Sequence, residues 1–186
     1  MMAATRKSGH LIERLPIVRG RYTADAPLAP TTWFRVGGPA EVLFRPADAE
    51  DLAAFIADRP ADVPVTVLGV ASNTLVRDGG IPGVVIRLGR GFNQARTEGD
   101  ILVTGAAVLC PNAALTAADV SLGGLEFLTG VPGTIGGAVR MNAGAFGGEI
   151  RDSLLWAEAI DASGRLRRVP AADMALTYRH NAAPSD

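Results

Sequence analysis

The fold of this chain is decided by GGLEFLTGVPGTIGGAVRMNAGAFGGEI, residues 123–150. Nine of these residues are glycine, and only Glu126, Arg140 and Glu149 are charged. The stretch is not an ordinary helix interior, because each glycine there costs roughly 1 kcal/mol relative to alanine, and it lacks the alternation of a half-buried strand. Glycines do allow the backbone to approach a flat or anionic group closely. We therefore interpret residues 123–150 as one wall of a cofactor site, with tight helix packing through glycine as the alternative.

Within this stretch, the motif VPGTIGG (residues 131–137) carries a proline suited to the first turn of a short helix. Such a helix would present free backbone N–H groups at Gly133, Thr134 and Ile135, where a negative group is favoured. Residues 142–144 add the amide of Asn142 to a loop of small residues. The motif therefore predicts contact with an electron-rich part of a ligand.

A second loop, LGVASNTLVRDGG at residues 68–80, follows a predicted buried strand and begins with small residues. Successive backbone N–H groups in such a turn form a concave site for anions, and the Ser72 hydroxyl and Asn73 amide are further donors. The loop has neither the Gly-Lys-Ser/Thr ending of a P-loop nor the GxGxxG of a dinucleotide fingerprint. It predicts a phosphate site, and a plain turn after a strand is an equally good interpretation of this loop alone.

Composition narrows the class of protein. The 186 residues include 18 basic and 19 acidic side chains, so the basic excess of a nucleic-acid-binding protein is missing. No apolar run is long enough to span a membrane, and the sequence MMAATRKSGH at the N-terminus lacks the core of a signal peptide. The single cysteine, Cys110, lies among apolar residues and is interpreted as a buried hydrophobic side chain. We expect a cytoplasmic protein without a metal site or an internal disulfide.

Periodicity and turn signals predict helices and strands that do not alternate strictly, and hence an α+β fold rather than a doubly wound one. Asp48 is the expected N-cap of a helix whose inward face is Leu52, Phe55 and Ile56. The predicted elements are a short helix within 9–19, an extended linker over 20–32, a strand over 40–45, a helix over 48–59, a buried strand over 63–68, strands over 84–88 and 101–104, a helix over 111–120 that begins at Pro111, and a hairpin of 154–161 with 166–169.

Four motifs occur in the order and at the spacing of a known family: TTWFRVGGPAE at 31–41, the loop and strand at 68–88, residues 124–150, and Tyr178-Arg179. From Thr31 onward the chain resembles the FAD-binding portion of the MurB family, the UDP-N-acetylenolpyruvoylglucosamine reductases. The resemblance implies an α+β fold of the vanillyl-alcohol-oxidase (PCMH) type with two α+β lobes around FAD. We expect an N-terminal helix and linker at 1–30, a first lobe at 31–90 and a second lobe at 91–186, without the family's C-terminal substrate-binding domain.

The resemblance also implies which residues bind FAD. Residues 69–74 are implied to hold the pyrophosphate, and residues 131–137 with 142–144 are implied to line the adenine, ribityl and ring region. Ala71 stands where the family usually has glycine, which bears on how closely the pyrophosphate approaches. The full implied set is Gly69, Val70, Ala71, Ser72, Asn73, Thr74, Val131, Pro132, Gly133, Thr134, Gly136, Gly137, Asn142, Ala143, Gly144 and Ile150.

The implied reaction has two halves. NADPH gives a hydride to the flavin, which passes it to the enolpyruvyl carbon of a UDP-sugar, and a proton at the adjacent carbon completes UDP-N-acetylmuramate for peptidoglycan. The arginine of the Tyr-Arg motif falls on Arg179, which is implied to be catalytic because its fixed charge suits a substrate carboxylate. The family's proton-donating serine and a later acidic residue have no counterpart here. We expect the chain to supply the FAD-binding part and to be incomplete alone.

Two other functions compete with this interpretation. One is a sugar or alcohol oxidase of the same superfamily, whose flavin is often tethered through His or Cys, but His10, His180 and Cys110 lie outside the glycine loops. The other is a non-catalytic flavin- or nucleotide-binding module, which would need no substrate domain. Flavin that stays attached on denaturation distinguishes the first, and reduction of bound flavin by NADPH argues against the second.

Overall fold

The computed structural model describes residues 9–182. The first eight residues of the predicted N-terminal segment 1–30 and the last four residues of the predicted second lobe lie outside that range. A short 3-10 turn, Leu11–Arg14, replaces the predicted helix within 9–19, and His10 caps it through its ring nitrogen. The first sheet has the order β1-β2-β4-β3, with β1 antiparallel to β2, and with β4 parallel to both β2 and β3. Its strands are β1 (Arg21–Pro27), β2 (Pro39–Arg45), β3 (Val65–Val67) and β4 (Ile81–Ile86).

The prediction of an extended linker over residues 20–32 is wrong, because β1 pairs with β2 from Arg21 to Pro27. An edge strand tolerates prolines, since the N–H groups on its outer side need no partner. Strand β3 also differs from its prediction: it is a short edge strand, and Val67 is largely exposed. The predicted strands over 40–45 and 84–88 are confirmed as β2 and β4.

Helix α1 (Ala49–Asp58) confirms the predicted cap and inward face. The Asp48 carboxylate accepts a hydrogen bond from the Asp51 backbone N–H at 3.0 Å, as an N-cap does. Phe55 is fully buried, and its ring centroid lies 4.7 Å from that of Phe44 on β2. The helix thus covers one face of the first sheet.

A second core forms around helices α2 (Cys110–Asp119) and α3 (Ile135–Met141). Helix α2 begins one residue earlier than predicted, so Pro111 is not its first residue. The remaining strands form three antiparallel hairpins: β5 (Ala95–Glu98) with β6 (Ile101–Thr104), β7 (Gly144–Ala145) with β8 (Gly148–Glu149), and β9 (Trp156–Ile160) with β10 (Leu166–Pro170). Strands β6, β9 and β10 were predicted, whereas β5 was not.

The turn of the last hairpin packs on α1. Gly164 has a φ of +80° in the turn between β9 and β10, and a Cβ there would lie 2.8 Å from the Cβ of Ala57 on α1. The turn therefore needs glycine both for its backbone conformation and for its packing on α1. None of the helices within residues 9–182 has the length and apolar character required to cross a membrane.

Candidate functional site

The two loops singled out in the sequence lie against each other. A Cβ on Gly69 would be 2.7 Å from Oγ1 of Thr134, and a Cβ on Gly133 would be 3.9 Å from Oγ of Ser72. Gly69 follows β3 of the first sheet, whereas Thr134 directly precedes α3 of the second core. The junction between the two cores thus brings residues 69–74 and 131–137 to one place.

The first loop presents hydrogen-bond donors that the protein does not use. Within residues 9–182, no backbone N–H from Gly69 to Asn73 donates to a protein acceptor, and the Ser72 hydroxyl and Asn73 amide have no protein partner either. Donors of this kind in a turn form a concave anion site. The arrangement is chemically suited to a pyrophosphate, which offers only acceptors.

Ala71 occupies the loop position where glycine is usual in the resembling family. Its φ is +52°, in the left-handed region, which explains a preference for glycine there. Its side chain is buried, with 7% of the residue exposed, and its carbonyl accepts a hydrogen bond from the Trp33 N–H at 3.2 Å. Because protein covers the methyl group, it does not stand between the loop and a ligand.

The second loop differs from its prediction in where the helix begins. Pro132 precedes α3 instead of lying in its first turn, and Thr134 is the N-cap. Of the three N–H groups predicted to be free, that of Gly133 bonds to the Val131 carbonyl at 2.8 Å and that of Ile135 to the Val108 carbonyl at 2.9 Å. The Ile135 bond belongs to an antiparallel bridge between Thr134 and Leu109, and the Gly133 bond closes a tight local turn.

Two donors of this loop stay unbonded. In the part of the chain that the structure describes, the backbone N–H groups of Thr134 and Gly137 have no protein acceptor. Thr134 is the nearest neighbour of Gly69 across the junction. The free donors of the second loop therefore lie beside those of the first.

The glycines of the second loop fall into two groups. Gly136 is required by packing, because a Cβ there would be 2.9 Å from that of Ala106, and Gly130, just before the loop, is required because a Cβ would lie 2.8 Å from that of Ala145. At Gly133 and Gly137 a Cβ would meet nothing closer than 3.9 and 3.6 Å, and neither residue has a positive φ. Protein packing therefore gives no reason for glycine at these two positions, whereas a flat ligand lying on the loop does.

Asn142, predicted to line the cofactor, has its side chain fully used inside the protein. It is 3% exposed and takes the left-handed conformation at the end of α3, with a φ of +43°. Its amide N–H₂ donates to Glu149 Oε2 at 2.8 Å and to the Thr177 carbonyl at 3.2 Å, and its Oδ1 accepts from the Arg151 N–H at 2.9 Å. The side chain has no donor left for a ligand.

Ile150, another predicted contact, is buried in the second core, and Gly144 is required by the β7–β8 hairpin, because a Cβ there would lie 2.5 Å from the Gly148 carbonyl oxygen. Val131 likewise belongs to the second core. For these three residues the fold accounts for the residue type without a ligand.

Arg179 lies at the tip of a tight turn. Thr177 and His180 exchange two backbone hydrogen bonds at 3.1 and 3.0 Å, and Arg179 has a φ of +52°. Its guanidinium carbon lies 5.3 Å from the centre of the exposed Tyr178 ring, and within residues 9–182 no carboxylate pairs with it. The Arg179 charge is thus available to an anion.

Trp33 lies beside the first loop and belongs to the motif at residues 31–41, for which the sequence predicted no part in binding. It is 70% exposed, and its N–H holds the Ala71 carbonyl. A cavity of about 360 Å³ opens there, lined by Pro30, Thr31, Thr32, Trp33, Arg35 and Val70. An exposed tryptophan next to free donors suits a planar group attached to a phosphate.

Cys110 offers no attachment point for a flavin. Its side chain is fully buried, and burial raises the pKa of the thiol to about 11. Its backbone N–H donates to the Gly133 carbonyl at 2.9 Å. The residue therefore supports the second loop from inside.

A family model described as an FAD binding domain matches residues 40–170. The chain is 58% identical to a UDP-N-acetylenolpyruvoylglucosamine reductase of Parvibaculum lavamentivorans, over 100% of this chain and 60% of that protein. For the protein of the same name in Rhodospirillum rubrum the identity is 56%, over 100% of this chain and 58% of that protein. The chain thus spans about 60% of the length of the curated relatives it matches.

Solved structures agree with the family model. The MurB structure from Thermus caldophilus superposes with a TM-score of 0.74 at 34% identity, over 90% of this chain and 58% of that chain. The 6-hydroxy-D-nicotine oxidase of Arthrobacter nicotinovorans superposes with a TM-score of 0.62 at 16% identity, over 84% of this chain and 37% of that chain, which shows the fold alone. The predicted α+β fold of the vanillyl-alcohol-oxidase type is confirmed, whereas the division into lobes at residues 90 and 91 stays a prediction.

Proposed function

Since the chain belongs to the FAD binding domain family, we propose that it is the FAD-binding part of a UDP-N-acetylenolpyruvoylglucosamine reductase. In this proposal NADPH is the hydride donor, UDP-N-acetylmuramate for peptidoglycan is the product, and the enzyme works in the cytoplasm. The observation that carries the proposal is the junction of the two loops, where free donors and two open glycines face one space.

The first loop is the proposed pyrophosphate site. The backbone N–H groups from Gly69 to Asn73 and the Ser72 hydroxyl would donate to the phosphate oxygens, taking the place of water. These donors require no side-chain rearrangement, because none of them has a competing protein acceptor in the described residues. The loop is therefore organised for the anion before it binds.

The second loop is the proposed wall for the planar part of FAD. Gly133 and Gly137 leave the backbone accessible, and the N–H groups of Thr134 and Gly137 are free to donate. When bound, FAD supplies a hydride carrier between NADPH and the substrate. The protein's contribution here is to hold the planar group against backbone donors and to exclude water from one of its faces.

Arg179 is the proposed partner of the substrate carboxylate. Adding a hydride to an enolpyruvyl group places negative charge next to that carboxylate, and a fixed guanidinium charge stabilises it. We propose that the proton donor and the rest of the substrate site come from the part of the relatives that this chain does not span.

A pair of glycine substitutions tests the FAD site. The purified chain is titrated with FAD, and binding is followed by quenching of flavin fluorescence. We expect Gly133→Ala and Gly137→Ala each to weaken FAD binding about tenfold, because a methyl group intrudes on the ligand, an overpacking cost of roughly 1–3 kcal/mol. Without FAD their melting temperatures should not fall below that of the unmodified chain, since neither methyl group would meet a close protein atom and replacing glycine by alanine at such a position is by itself mildly stabilising.

Gly123→Ala is the matched control. A Cβ on Gly123 would meet Glu126 Oε1 at 3.6 Å, the clearance that Gly137 has from Thr134, but Gly123 lies outside the loop junction. Its FAD affinity should equal that of the unmodified chain. A chain that binds no FAD, or equal affinity in all three variants, would refute the proposed site.

A further inference from the structure

We infer that Asn142 is a positioning residue for Arg179: its side chain holds the turn from Thr177 to His180 against the end of α3. The inference rests on the proposed function only in that Arg179 is taken to contact substrate. The contact itself is a property of the fold, and its test is separate from FAD binding.

The amide of Asn142 has one orientation that satisfies its surroundings. The Glu149 carboxylate accepts from Nδ2 at 2.8 Å, and the Arg151 N–H donates to Oδ1 at 2.9 Å. A flipped amide would place its N–H₂ against the Arg151 N–H and its oxygen against the Glu149 carboxylate, so both contacts would be lost. With the amide fixed in this way, the second N–H of Nδ2 points to the Thr177 carbonyl, 3.2 Å away.

The residues at the tip of the turn are not held by burial, since Tyr178 is 80% exposed and Arg179 is exposed as well. The turn is held at its flanks, where Leu176 packs against the second core and the Ala182 N–H donates to the Met174 carbonyl at 2.9 Å. Besides the Asn142 bond, Asn181 Nδ2 donates to the Val139 carbonyl at 3.1 Å, and the Asn181 carbonyl accepts from the Arg140 guanidinium at 3.3 Å. Hydrogen bonds to the last residues of α3 therefore anchor the turn on both sides.

Helix α3 consequently links the two halves of the proposed site. The loop before its first residue, Ile135, carries Gly133 and Thr134, and Asn142 directly follows its last residue, Met141. One seven-residue helix thus fixes the loop at one end and the Arg179 turn at the other. Because α3 packs in the second core, the separation between them is set by a rigid element.

Cleavage by trypsin after Arg179 measures whether the turn is held. Asn142→Gly keeps the left-handed backbone, which glycine adopts readily, and removes all three side-chain bonds. We expect cleavage at Arg179 to become about tenfold faster in the 186-residue chain, because cleavage follows the population of locally opened turns. Cleavage after Arg165, in the β9–β10 turn, is the internal reference and should not change. Equal rates at Arg179 in both proteins would overturn the inference.

A pair of variants separates the Thr177 bond from the Glu149 bond. Asn142→Asp keeps the acceptor for the Arg151 N–H but has no donor for Thr177, so cleavage should again be fast. Adding Glu149→Gln restores a donor–acceptor contact between positions 142 and 149 and still leaves Thr177 without a donor. If the Thr177 bond holds the turn, the double variant N142D/E149Q stays as sensitive as N142D. A return to the unmodified rate would assign the effect to the Glu149 contact and overturn the inference.

The FAD titration of the unmodified chain is run alongside. Failure to bind FAD would refute the proposed function and leave the cleavage result intact, whereas unchanged cleavage with normal FAD binding would refute only the role of Asn142.

Discussion

Gly69→Ala perturbs the contact on which the proposed site depends. The added Cβ would be 2.7 Å from Oγ1 of Thr134, about 0.7 Å short of the 3.4 Å at which ordinary contact begins. Thr134 is buried and β-branched, so it has few rotamers in which to move away. Overpacking of this kind costs roughly 1–3 kcal/mol.

The expected change is therefore a loss of about 2 kcal/mol in the free energy of unfolding, or roughly 4–8 °C in melting temperature for a chain of this length. A double-mutant cycle with Thr134→Ala tests the cause. Removing Oγ1 makes room for the new methyl group, so the double variant should be more stable than the sum of the single changes predicts, by about 1–2 kcal/mol.

Gly137→Ala is the matched control, because its Cβ would meet the same Thr134 oxygen at 3.6 Å, an ordinary contact. Its stability should not fall, and should rise by up to about 1 kcal/mol because alanine replaces glycine within α3, and Thr134→Ala should not couple to it. Chemical denaturation followed by tryptophan fluorescence gives the four free energies of each cycle. If Gly69→Ala and Thr134→Ala are additive within about 0.3 kcal/mol, the two loops do not touch, and the geometry of the proposed site is wrong.

Two further predictions concern stability. Asp51→Ala should lower the free energy of unfolding by about 3 kcal/mol in a urea titration, because the buried carboxylate accepts from the N–H groups of Arg19, Gly20 and Ala47; Glu50→Ala, at an exposed neighbour, should change it by less than about 0.5 kcal/mol. Burial raises the pKa of Cys110 to about 11, above the roughly 8.5 of an exposed thiol, so the unfolded chain loses the proton first and stability falls between these values. Between pH 8 and pH 10 the free energy of unfolding of the Cys110→Ala variant should therefore fall by about 1–2 kcal/mol less than that of the unmodified chain. Parallel pH profiles of the two proteins would contradict this.

The sequence was sufficient where local signals decide the structure. Asp48 caps α1 through its own carboxylate, and Phe55 follows from helical spacing. The hairpin of β9 and β10 was predicted from two runs around a turn, and Gly164 confirms it with a positive φ. In each case the interacting residues lie a few positions apart, so the pattern contains the whole interaction.

Two strands were missed because their own residues argue against a strand. Strand β1 ends at Pro27, and Pro30 follows closely; these prolines argue against a strand, which forms because β2 offers a free edge. Strand β5 reads ARTE, with little apolar character, and exists through its pairing with β6 across Gly99, which has a φ of +58°. For β5 the partner lay close by, since β6 was predicted and Gly99-Asp100 is the turn between the two strands, but the polar composition of β5 itself argues against a strand.

In the candidate site, too, single residues could be predicted to have a close neighbour, but not which neighbour it is. From the sequence alone, Gly133, Gly136 and Gly137 all predict close approach of the backbone to another group. In the structure that group is Ala106 for Gly136, whereas no protein atom packs closely on Gly133 or Gly137. Asn142 was likewise assigned to a ligand because it is polar among small residues, and its partners are Glu149, Arg151 and Thr177 instead. A glycine or a polar residue in such a loop indicates a close contact, and only the fold determines whether the contact is with protein or with a ligand. The residues that the fold leaves without protein neighbours are therefore the ones on which a ligand hypothesis should rest.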